Sequence, residues 1–319
     1  MKSSLKTSIK HVHVIINPYS GSSKKKFPFL NFILGIQNKT KKPLPHKDII
    51  TKIKNQFLNT NIDIKFFLTE NKSHATNLAK QAVAENVDVV IAVGGDGTIN
   101  EVINGISNTP VILAAIPFGT ANIFCLEFNY TIKIENICKK VIKGNYTKID
   151  LGVVNGKYFA CMAGIGFDAF VIKKADLCLK KIYGPLSYIA VAIKEYLNYH
   201  FHPIILTIEG QKTPIKGCIV IVGNIKYYGG NLIIAPQADP KDGFLDVCVF
   251  KYHGIFNILN YGIKMKLGTL KNSNNVSYFR TKKLKISPVG NHSIHTDAEY
   301  YCKGSAYISI AEHALRIIS

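Results

Sequence analysis

The stretch "VVIAVGGDGTINEVINGI", residues 89–106, decides the fold of the first half of this chain. An apolar run typical of a buried strand leads directly into Gly94-Gly95-Asp96-Gly97-Thr98, and a helical pattern follows. The first turn of a helix has unpaired N–H groups and a positive dipole end, and glycines let such groups approach phosphate closely or adopt positive φ. Aspartate would repel bare phosphate, so it indicates either a divalent cation nearby or a role in ordering the loop. The stretch therefore predicts a nucleotide-phosphate loop.

Two other phosphate-binding motifs are excluded. The pattern G-x-x-x-x-G-K-[ST] does not occur in the chain, and Gly95-x-Gly97 is followed by Asn100 where the dinucleotide fingerprint has a third glycine. An ordinary glycine-rich turn is the alternative. Five specified residues between a strand and a helix favour the phosphate loop.

Strand and helix patterns alternate through the first half of the chain. Such alternation predicts βαβ units and a parallel sheet with helices on its faces. The predicted strands cover residues 11–17, 62–69, 87–93 and 111–117, and the predicted helices cover residues 48–58, 73–86 and 98–106.

The pattern changes near Lys148. Short strands separated by Gly, Asn and Pro dominate from there, and one long helical stretch, about residues 175–200, interrupts them. This pattern predicts a mostly antiparallel β domain. We expect residues 1–147 and 148–308 to form two domains, with residues 309–319 returning to the first.

Composition limits the class of protein. The chain has 319 residues and 47% apolar residues, which is enough for a sizeable core. Lys and Arg number 40 against 20 Asp and Glu, so the formal charge of +20 indicates an anionic partner, unless it reflects coding bias alone. The seven cysteines form no C-x-x-C pair and residues 1–10 are polar, so we expect reduced thiols and a cytoplasmic location.

Several separated motifs accompany the glycine loop. They are "INPYSG" (16–21), "IPFGTANIF" (116–124), "IDLG" (149–152), "GIGFDA" (164–169), "APQADPKDGFLDV" (235–247) and "HTDAE" (295–299). From about His11 to the end, this ordered set resembles the diacylglycerol kinase catalytic-domain family, in particular the bacterial soluble lipid kinases. The resemblance implies an α/β nucleotide domain, as in NAD kinases and lipid kinases, and a β-sandwich domain. It also implies that ATP binds between them and gives its γ-phosphoryl group to a lipid hydroxyl.

The resemblance also implies roles for particular residues. Asp297 would be the general base, and Asp242 would bind a structural Mg²⁺ with the backbone carbonyls of Asp239 and Phe244. Residues that would contact ATP are Asn17, Thr69, Gly94, Gly95, Asp96, Gly97, Thr98, Asn100, Glu101 and Thr120. Asp96 and Asp150 would belong to a carboxylate–water–magnesium network.

The residue types suit these roles, although plainer interpretations exist. "DPKDGF" offers oxygen ligands around a turn-making glycine, or is simply an Asp-Gly hairpin turn. Asp297 is either a catalytic carboxylate or a solvated acid in a turn; no Asp or Glu occurs between Val247 and Thr296.

Two positions depart from the family pattern. Ile123 stands where many relatives have Asp, and Ala298 replaces a glycine and would be strained if its φ is positive.

Lysines are concentrated in two places. The first is the block from Lys24 to Lys47, which surrounds "FPFLNFILGI" (27–36); it either docks on anionic lipid or packs as a helix on the sheet. The second is the acid-free stretch at residues 251–285, which could face a membrane. No zinc finger, RNP-like motif or basic-helix signature occurs, so we do not expect nucleic acid as a partner.

The leading expectation is an ATP- and Mg²⁺-dependent lipid kinase, peripheral to a membrane, that converts diacylglycerol to phosphatidic acid. A kinase for sphingoid bases or ceramide is an alternative within the enzymes. NAD kinase shares the GGDGT loop, but "NPYSG" and the late "DGFLDV" segment disfavour it. A catalytically weak lipid-binding regulatory protein is the alternative from another class. An oligomer is compatible with the sequence.

Overall fold

The computed structural model of the chain describes residues 5–20, 46–178, 186–287 and 289–319. Within them the chain splits into two compact units. The first contains the described residues up to 151 and also 312–319, and the second contains those from 152 to 311.

Helices and strands alternate in the first unit, and strands dominate the second. The described helices are α1 His46–Phe57, α2 His74–Ala84, α3 Asp96–Ile106, α4 Ile123–Glu127, α5 Ile134–Lys143, α6 Phe167–Cys178, α7 Leu186–Tyr196 and α8 Ile255–Leu267. The described strands are β1 Leu5–Lys6, β2 His11–Ile16, β3 Asp63–Leu68, β4 Val89–Gly94, β5 Ile112–Pro117, β6 Asn145–Val154, β7 Lys157–Phe159, β8 Met162–Gly166, β9 Ile204–Ile208, β10 Ile215–Gly217, β11 Ile219–Gly223, β12 Tyr227–Tyr228, β13 Leu232–Ile233, β14 Leu245–Phe250, β15 Val276–Thr281, β16 Lys283–Ile286, β17 Ser293–Thr296, β18 Glu299–Lys303 and β19 Ala306–Ile318.

A parallel sheet forms the centre of the first unit, as predicted. Its strand order is β19-β5-β4-β2-β3, and each neighbouring pair is parallel. The residues of β4 and β5 are all buried, as expected for parallel strands with both faces covered. Two helices of this unit, α4 and α5, were not predicted. Yet α5 buries Ile134, Ile137, Cys138 and Val141, a helical spacing that was present in the sequence.

Two larger antiparallel sheets form the core of the second unit, which confirms the predicted β-sandwich, and β12 and β13 pair separately. One has the order β10-β9-β16-β19, and the other has the order β15-β14-β11-β8-β17-β18. Apolar side chains from both sheets form one core, which includes Ile204 and Leu206 of β9 and Val220 and Val222 of β11. The first half of β19 pairs with β16 in this unit, while Arg316 and Ile317 pair with β5 in the other.

The helix predicted in the second unit needs correction, and the predicted lysine block lies mostly outside the described residues. The helix expected at about 175–200 begins earlier, with α6, and ends earlier, with α7 at Tyr196; residues 179–185 lie outside the described part. Helix α8 was not predicted at all. Of the block from Lys24 to Lys47, His46 and Lys47 lie within the described residues, at the start of α1, and Lys47 is exposed.

Candidate active site

Four neighbouring segments of the first unit end at the same edge of its sheet. Asn17 follows β2, Thr69 follows β3, Gly95 follows β4, and Thr120 lies shortly after β5. In open parallel sheets, ligands bind outside the carboxyl ends of the strands. The topology therefore brings residues from all four predicted nucleotide-binding segments to one edge.

The glycine loop needs Gly94 and Gly95 for close contact, and none of its glycines for unusual backbone angles. Gly94, Gly95 and Gly97 are absent from the positions with positive φ. A Cβ on Gly94 would lie 2.6 Å from both Cβ and Oγ1 of Thr98, whose side chain folds back over this residue. The backbone at Gly95 is extended, and α3 begins at Asp96, so the first-turn N–H groups of α3 lie at the carboxyl edge of the sheet.

A second loop packs directly on the first. A Cβ on Gly119 would lie 2.5 Å from the Cα of Gly95, so two backbones touch at this point. The side chain of Asn122 fixes the second loop: its Oδ1 accepts from the N–H of Gly119 at 2.8 Å, and its Nδ2 donates to the Gly119 carbonyl at 2.7 Å. Asn122 belongs to the quoted "IPFGTANIF" motif, but sequence reasoning gave it no role of its own.

Asn17 ties the loop after β2 to the glycine loop. Its Nδ2 donates to Oγ1 of Thr98 at 3.0 Å, and its Oδ1 accepts from the N–H of Tyr19 at 3.0 Å. The backbone N–H of Asn17 also donates to the Val93 carbonyl at 2.9 Å. Three predicted nucleotide loops are thus in direct contact.

Two residues predicted to contact ATP have hydrogen-bond partners within the protein at their polar atoms. Glu101 caps the start of α2: its Oε1 accepts from the N–H of Ser73 at 2.9 Å, and its Oε2 accepts from the N–H of Ala75 at 3.1 Å. Ser73, which was expected to open this helix, makes no side-chain cap. Asn100 is 2% exposed, and its Oδ1 and backbone carbonyl accept from Nδ2 of Asn104 at 3.1 and 2.9 Å.

The two acids of the predicted carboxylate network are also held by backbone N–H groups. Asp96 accepts from the N–H of Phe124 at 3.3 Å, and Asp150, which is 1% exposed, accepts from the N–H of His313 at 2.7 Å. Burial, and secondly the charge of Asp96, raise the pKa of the Cys125 thiol well above its usual value. The negative charge of Asp96 therefore lies close to the start of α4.

In the second unit, Asp297 is anchored by three amides. Its Oδ1 accepts from the N–H groups of Cys161 and Met162, both at 2.9 Å, and its Oδ2 accepts from that of Ala160 at 2.8 Å. The residue is 7% exposed. Its own N–H donates to the Met162 carbonyl at 2.8 Å. This is not the solvated turn acid of the plainer interpretation, because the carboxylate has a fixed orientation and is largely removed from water.

The turn after Asp297 is strained. Asp297 has φ 48° and Ala298 has φ 60°, so both lie in the left-handed region. A residue with a Cβ costs about 1 kcal/mol or more there relative to glycine. Strain was expected at Ala298 if its φ was positive, and its φ is positive.

A polar triad around a buried histidine lies beside this turn and was missed from the sequence. His295 Nε2 is 2.7 Å from Oδ2 of Asp168, and the hydroxyl of Tyr228 donates to the other carboxylate oxygen. A Cβ on Gly164 would lie 2.2 Å from both His295 and Asp168, so glycine leaves the space for this pair. The available signals were Asp168 within "GIGFDA" and the histidine that opens "HTDAE", and sequence reasoning gave neither a role of its own.

The predicted structural magnesium site has a different cation in it. Asp242 Oδ1 accepts from the N–H of Phe244 at 3.0 Å, and its other oxygen is paired with the guanidinium of Arg280. Arg280 also lies over the Phe244 ring, 5.0 Å from its centroid. The carbonyl of Asp239 accepts from the N–H of Asp242 at 3.2 Å and closes the turn, and Gly243 has φ 75°. As arranged, these residues fit a guanidinium and a hairpin turn.

Two kinds of feature do not occur in the part of the chain that the structure describes. Among residues 5–20, 46–178, 186–287 and 289–319, no group of three or more His, Cys, Asp or Glu side chains is placed to hold a metal ion. Over the same residues, every helix is too short or too polar to cross a bilayer.

Comparisons with known proteins agree with the fold and the motifs. The profile described as "Diacylglycerol kinase catalytic domain" matches residues 32–154, and that described as "YegS C-terminal NAD kinase beta sandwich-like domain" matches residues 161–319. The chain is 27% identical over 307 residues to a diacylglycerol kinase of Staphylococcus aureus (strain bovine RF122 / ET3-1), covering 95% of this chain and 91% of that protein. It is 27% identical over 264 residues to a diacylglycerol kinase of Mycobacterium tuberculosis (strain CDC 1551 / Oshkosh), covering 81% and 85%.

Solved structures show the same architecture. The crystal structure of a diacylglycerol kinase from Bacillus anthracis str. Sterne superimposes with a TM-score of 0.67 at 24% identity over 98% of both chains, and another structure from that organism gives 0.74 at 23%. The two profiles together match nearly all of the chain after residue 31. The expected family is therefore confirmed: the chain belongs to the diacylglycerol kinase catalytic-domain family and is a lipid kinase.

Proposed function

We propose that the protein transfers the γ-phosphoryl group of Mg²⁺-bound ATP to the hydroxyl of diacylglycerol in a membrane and so makes phosphatidic acid. The observation that carries the proposal is the sheet edge at which the backbones of Gly95 and Gly119 touch and Asn17 contacts Thr98. The printed names of the relatives support the choice of acceptor.

The nucleotide would bind at the first turn of α3. The N–H groups of Gly97 and Thr98 belong to this turn, and the helix dipole adds positive potential. Thr69 is 7% exposed at the same edge, and Thr120 is exposed. Asp96 would lie toward the Mg²⁺ that accompanies the phosphates, where a carboxylate is an appropriate oxygen ligand.

Asp297 would act on the acceptor. As the lipid hydroxyl oxygen bonds to the γ-phosphorus, the bond from that phosphorus to the bridging oxygen of ADP breaks, and the hydroxyl proton passes to the carboxylate. The three amides from residues 160–162 hold this carboxylate in one orientation. Positioning of this kind is what phosphoryl transfer chiefly needs from a protein.

One observation favours the catalytically weak alternative. Ala298 holds the base in a strained turn, with φ 60°. Relaxation of that strain would turn Asp297 away from the acceptor and leave a protein that binds lipid and nucleotide but transfers phosphate slowly.

A transfer assay tests the proposal. The protein is incubated with ATP labelled in the γ-phosphate, Mg²⁺, and mixed micelles containing diacylglycerol, sphingosine or ceramide. We expect label in phosphatidic acid, and a loss of about 10²–10⁴-fold in kcat for Asp297→Asn. Asp63→Asn, an exposed acid on β3, is the control and should behave as wild type. Label in no lipid, with ATP still bound, would support the regulatory alternative. Label only in sphingosine or ceramide would identify that lipid as the acceptor in place of diacylglycerol.

A further inference from the structure

We propose that one face of helix α8 binds the surface of a bilayer that contains anionic phospholipids. The α8 face consists of Phe256, Leu259, Ile263 and Leu267, whose exposed fractions are 83%, 58%, 60% and 68%. Spacings of three, four and four residues place these side chains within roughly 80° of one another around the helix axis. A contiguous stripe of large exposed apolar residues marks an interaction surface, whereas single exposed residues are ordinary.

The opposite side of α8 fixes the helix to the second unit. Tyr261 is 3% exposed, and its ring packs against that of Phe250 with centroids 4.8 Å apart. The Tyr261 hydroxyl donates to the carbonyl of Tyr252 at 3.2 Å. Helix α8 therefore packs on the second unit through its Tyr261 side, and the α8 face lies on the opposite, exposed side.

Charge around the α8 face selects the partner. The helix contains no acid, and none occurs from Val247 to Thr296. Lys264 and Lys266 lie in its last turn, one on each side of the apolar stripe by the helical repeat. A helix with aromatic and aliphatic residues on one side and lysines beside them suits an interface of acyl chains and anionic head groups.

A second copy of this chain fits the same surface less well. Packing α8 against itself would bring like charges together at Lys264 and Lys266, in a chain whose formal charge is already +20. Nucleic acid would satisfy the lysines but would leave the apolar side chains in water. A lipid bilayer accommodates both.

A neighbouring element extends the surface. The hydroxyl of Tyr196, at the end of α7, donates to the carbonyl of His253 at 3.1 Å, immediately before α8. Ile193 and Leu197, close to this tie, are 64% and 88% exposed. The inference deepens the proposed function and rests on it, since a kinase for a membrane-embedded alcohol must meet the membrane at a defined surface.

Fluorescence can report insertion of the α8 face directly, because the chain contains no tryptophan. Phe256→Trp would introduce the only indole in the protein. We expect its emission to shift to shorter wavelength with vesicles of phosphatidylcholine and phosphatidylglycerol, and less with phosphatidylcholine alone. Leu58→Trp, at an exposed position after α1, is the control and should not shift. If the emission of Phe256→Trp shifts with protein concentration in the absence of vesicles, the α8 face binds a second copy of the chain, and the proposal is overturned.

Vesicle co-sedimentation separates this proposal from the proposed function. The pair Leu259→Ser and Ile263→Ser should bind anionic vesicles about tenfold more weakly than wild type or Leu58→Ser. Phosphorylation of a short-chain diacylglycerol in detergent solution should be unchanged in the pair, because no residue of the α8 face has a role in the proposed transfer step. Unchanged vesicle binding would overturn the α8 proposal alone. Absence of transfer to soluble diacylglycerol by wild type would instead overturn the proposed reaction.

Discussion

The candidate residues of the two units are held in different ways. In the first unit, short loops at one sheet edge fix each other through backbone contacts, as between Gly95 and Gly119. In the second unit, the carboxylate of Asp297 is fixed by amides that lie 135 to 137 positions earlier in the chain. The first arrangement leaves no room for an added side chain, whereas the second retains a non-glycine residue, Ala298, in a left-handed turn.

This contrast indicates where each unit is vulnerable. Loops that touch through glycine backbones should fail when a single methyl group is added, because neither backbone can move without disturbing a strand end. A turn with positive φ at a non-glycine residue stores strain that a substitution can release. Adding a methyl group at the first of these places and removing one at the second should therefore change stability in opposite directions.

Gly119→Ala should have the largest effect on the first unit. Its new Cβ would lie 2.5 Å from the Cα of Gly95 and 2.7 Å from Oδ1 of Asn122. We expect a loss of about 1–3 kcal/mol in the free energy of unfolding and about tenfold weaker binding of MgATP, measured by denaturant unfolding and calorimetry. Gly262→Ala is the control, since no heavy atom lies within 4 Å of its added Cβ. Nucleotide binding at wild-type strength in Gly119→Ala would mean that the contact of the loops is unimportant for the site.

Glu101→Gln tests whether a residue within the glycine motif is structural. The substitution removes one of the two acceptors that cap α2, so we expect a loss of about 1 kcal/mol in the free energy of unfolding. The affinity for MgATP should not change, because both carboxylate oxygens contact backbone N–H groups at the start of α2. Glu70→Gln, an exposed acid after β3, serves as control. A fall in nucleotide affinity without a fall in stability would assign Glu101 to the nucleotide after all.

Ala298→Gly tests the opposite behaviour of the second unit. Release of the left-handed strain should raise the free energy of unfolding by about 1 kcal/mol. The corresponding rise in Tm is about 2–4 °C for a unit of this size. Ala84→Gly, at an exposed site in α2, should instead lower stability because glycine weakens a helix. A lower Tm for Ala298→Gly would show that the turn carries no strain.

The same contrast explains which features could be predicted from the sequence. The glycine loop and the parallel strands are local patterns, so their positions and the family followed from short motifs. The spacing of Ile134, Ile137 and Val141 was equally local and could have revealed α5. The amides that hold Asp297 depend on the pairing of β17 with β8, which no local pattern specifies.

Other features could not be predicted because they depend on partners or on the exposed surface. Helix α8 has apolar residues on both sides, one buried at Tyr261 and one exposed at Phe256, so its pattern has no clear amphipathic period. The cap that Glu101 provides for α2 requires two helices to be in contact. Likewise, the pairing of Asp242 with Arg280 follows from the register in which Arg280 lies opposite Asp246 on β14.

Metal removal should have the smallest effect, and it decides between two cations at Asp242. If Arg280 neutralises this carboxylate, EDTA should leave the Tm of the wild-type protein unchanged, and Arg280→Gln should cost only about 0–1 kcal/mol, since the pair is partly exposed. Lys282→Gln, which removes the other cation over the Phe244 ring, is the matched control. If EDTA lowers the Tm and Mg²⁺ restores it, the predicted ligands Asp239, Asp242 and Phe244 do bind a metal and Arg280 must move away. Without that response, the turn is held by a guanidinium from the neighbouring strand, and the Mg²⁺ of the proposed reaction belongs to the nucleotide alone.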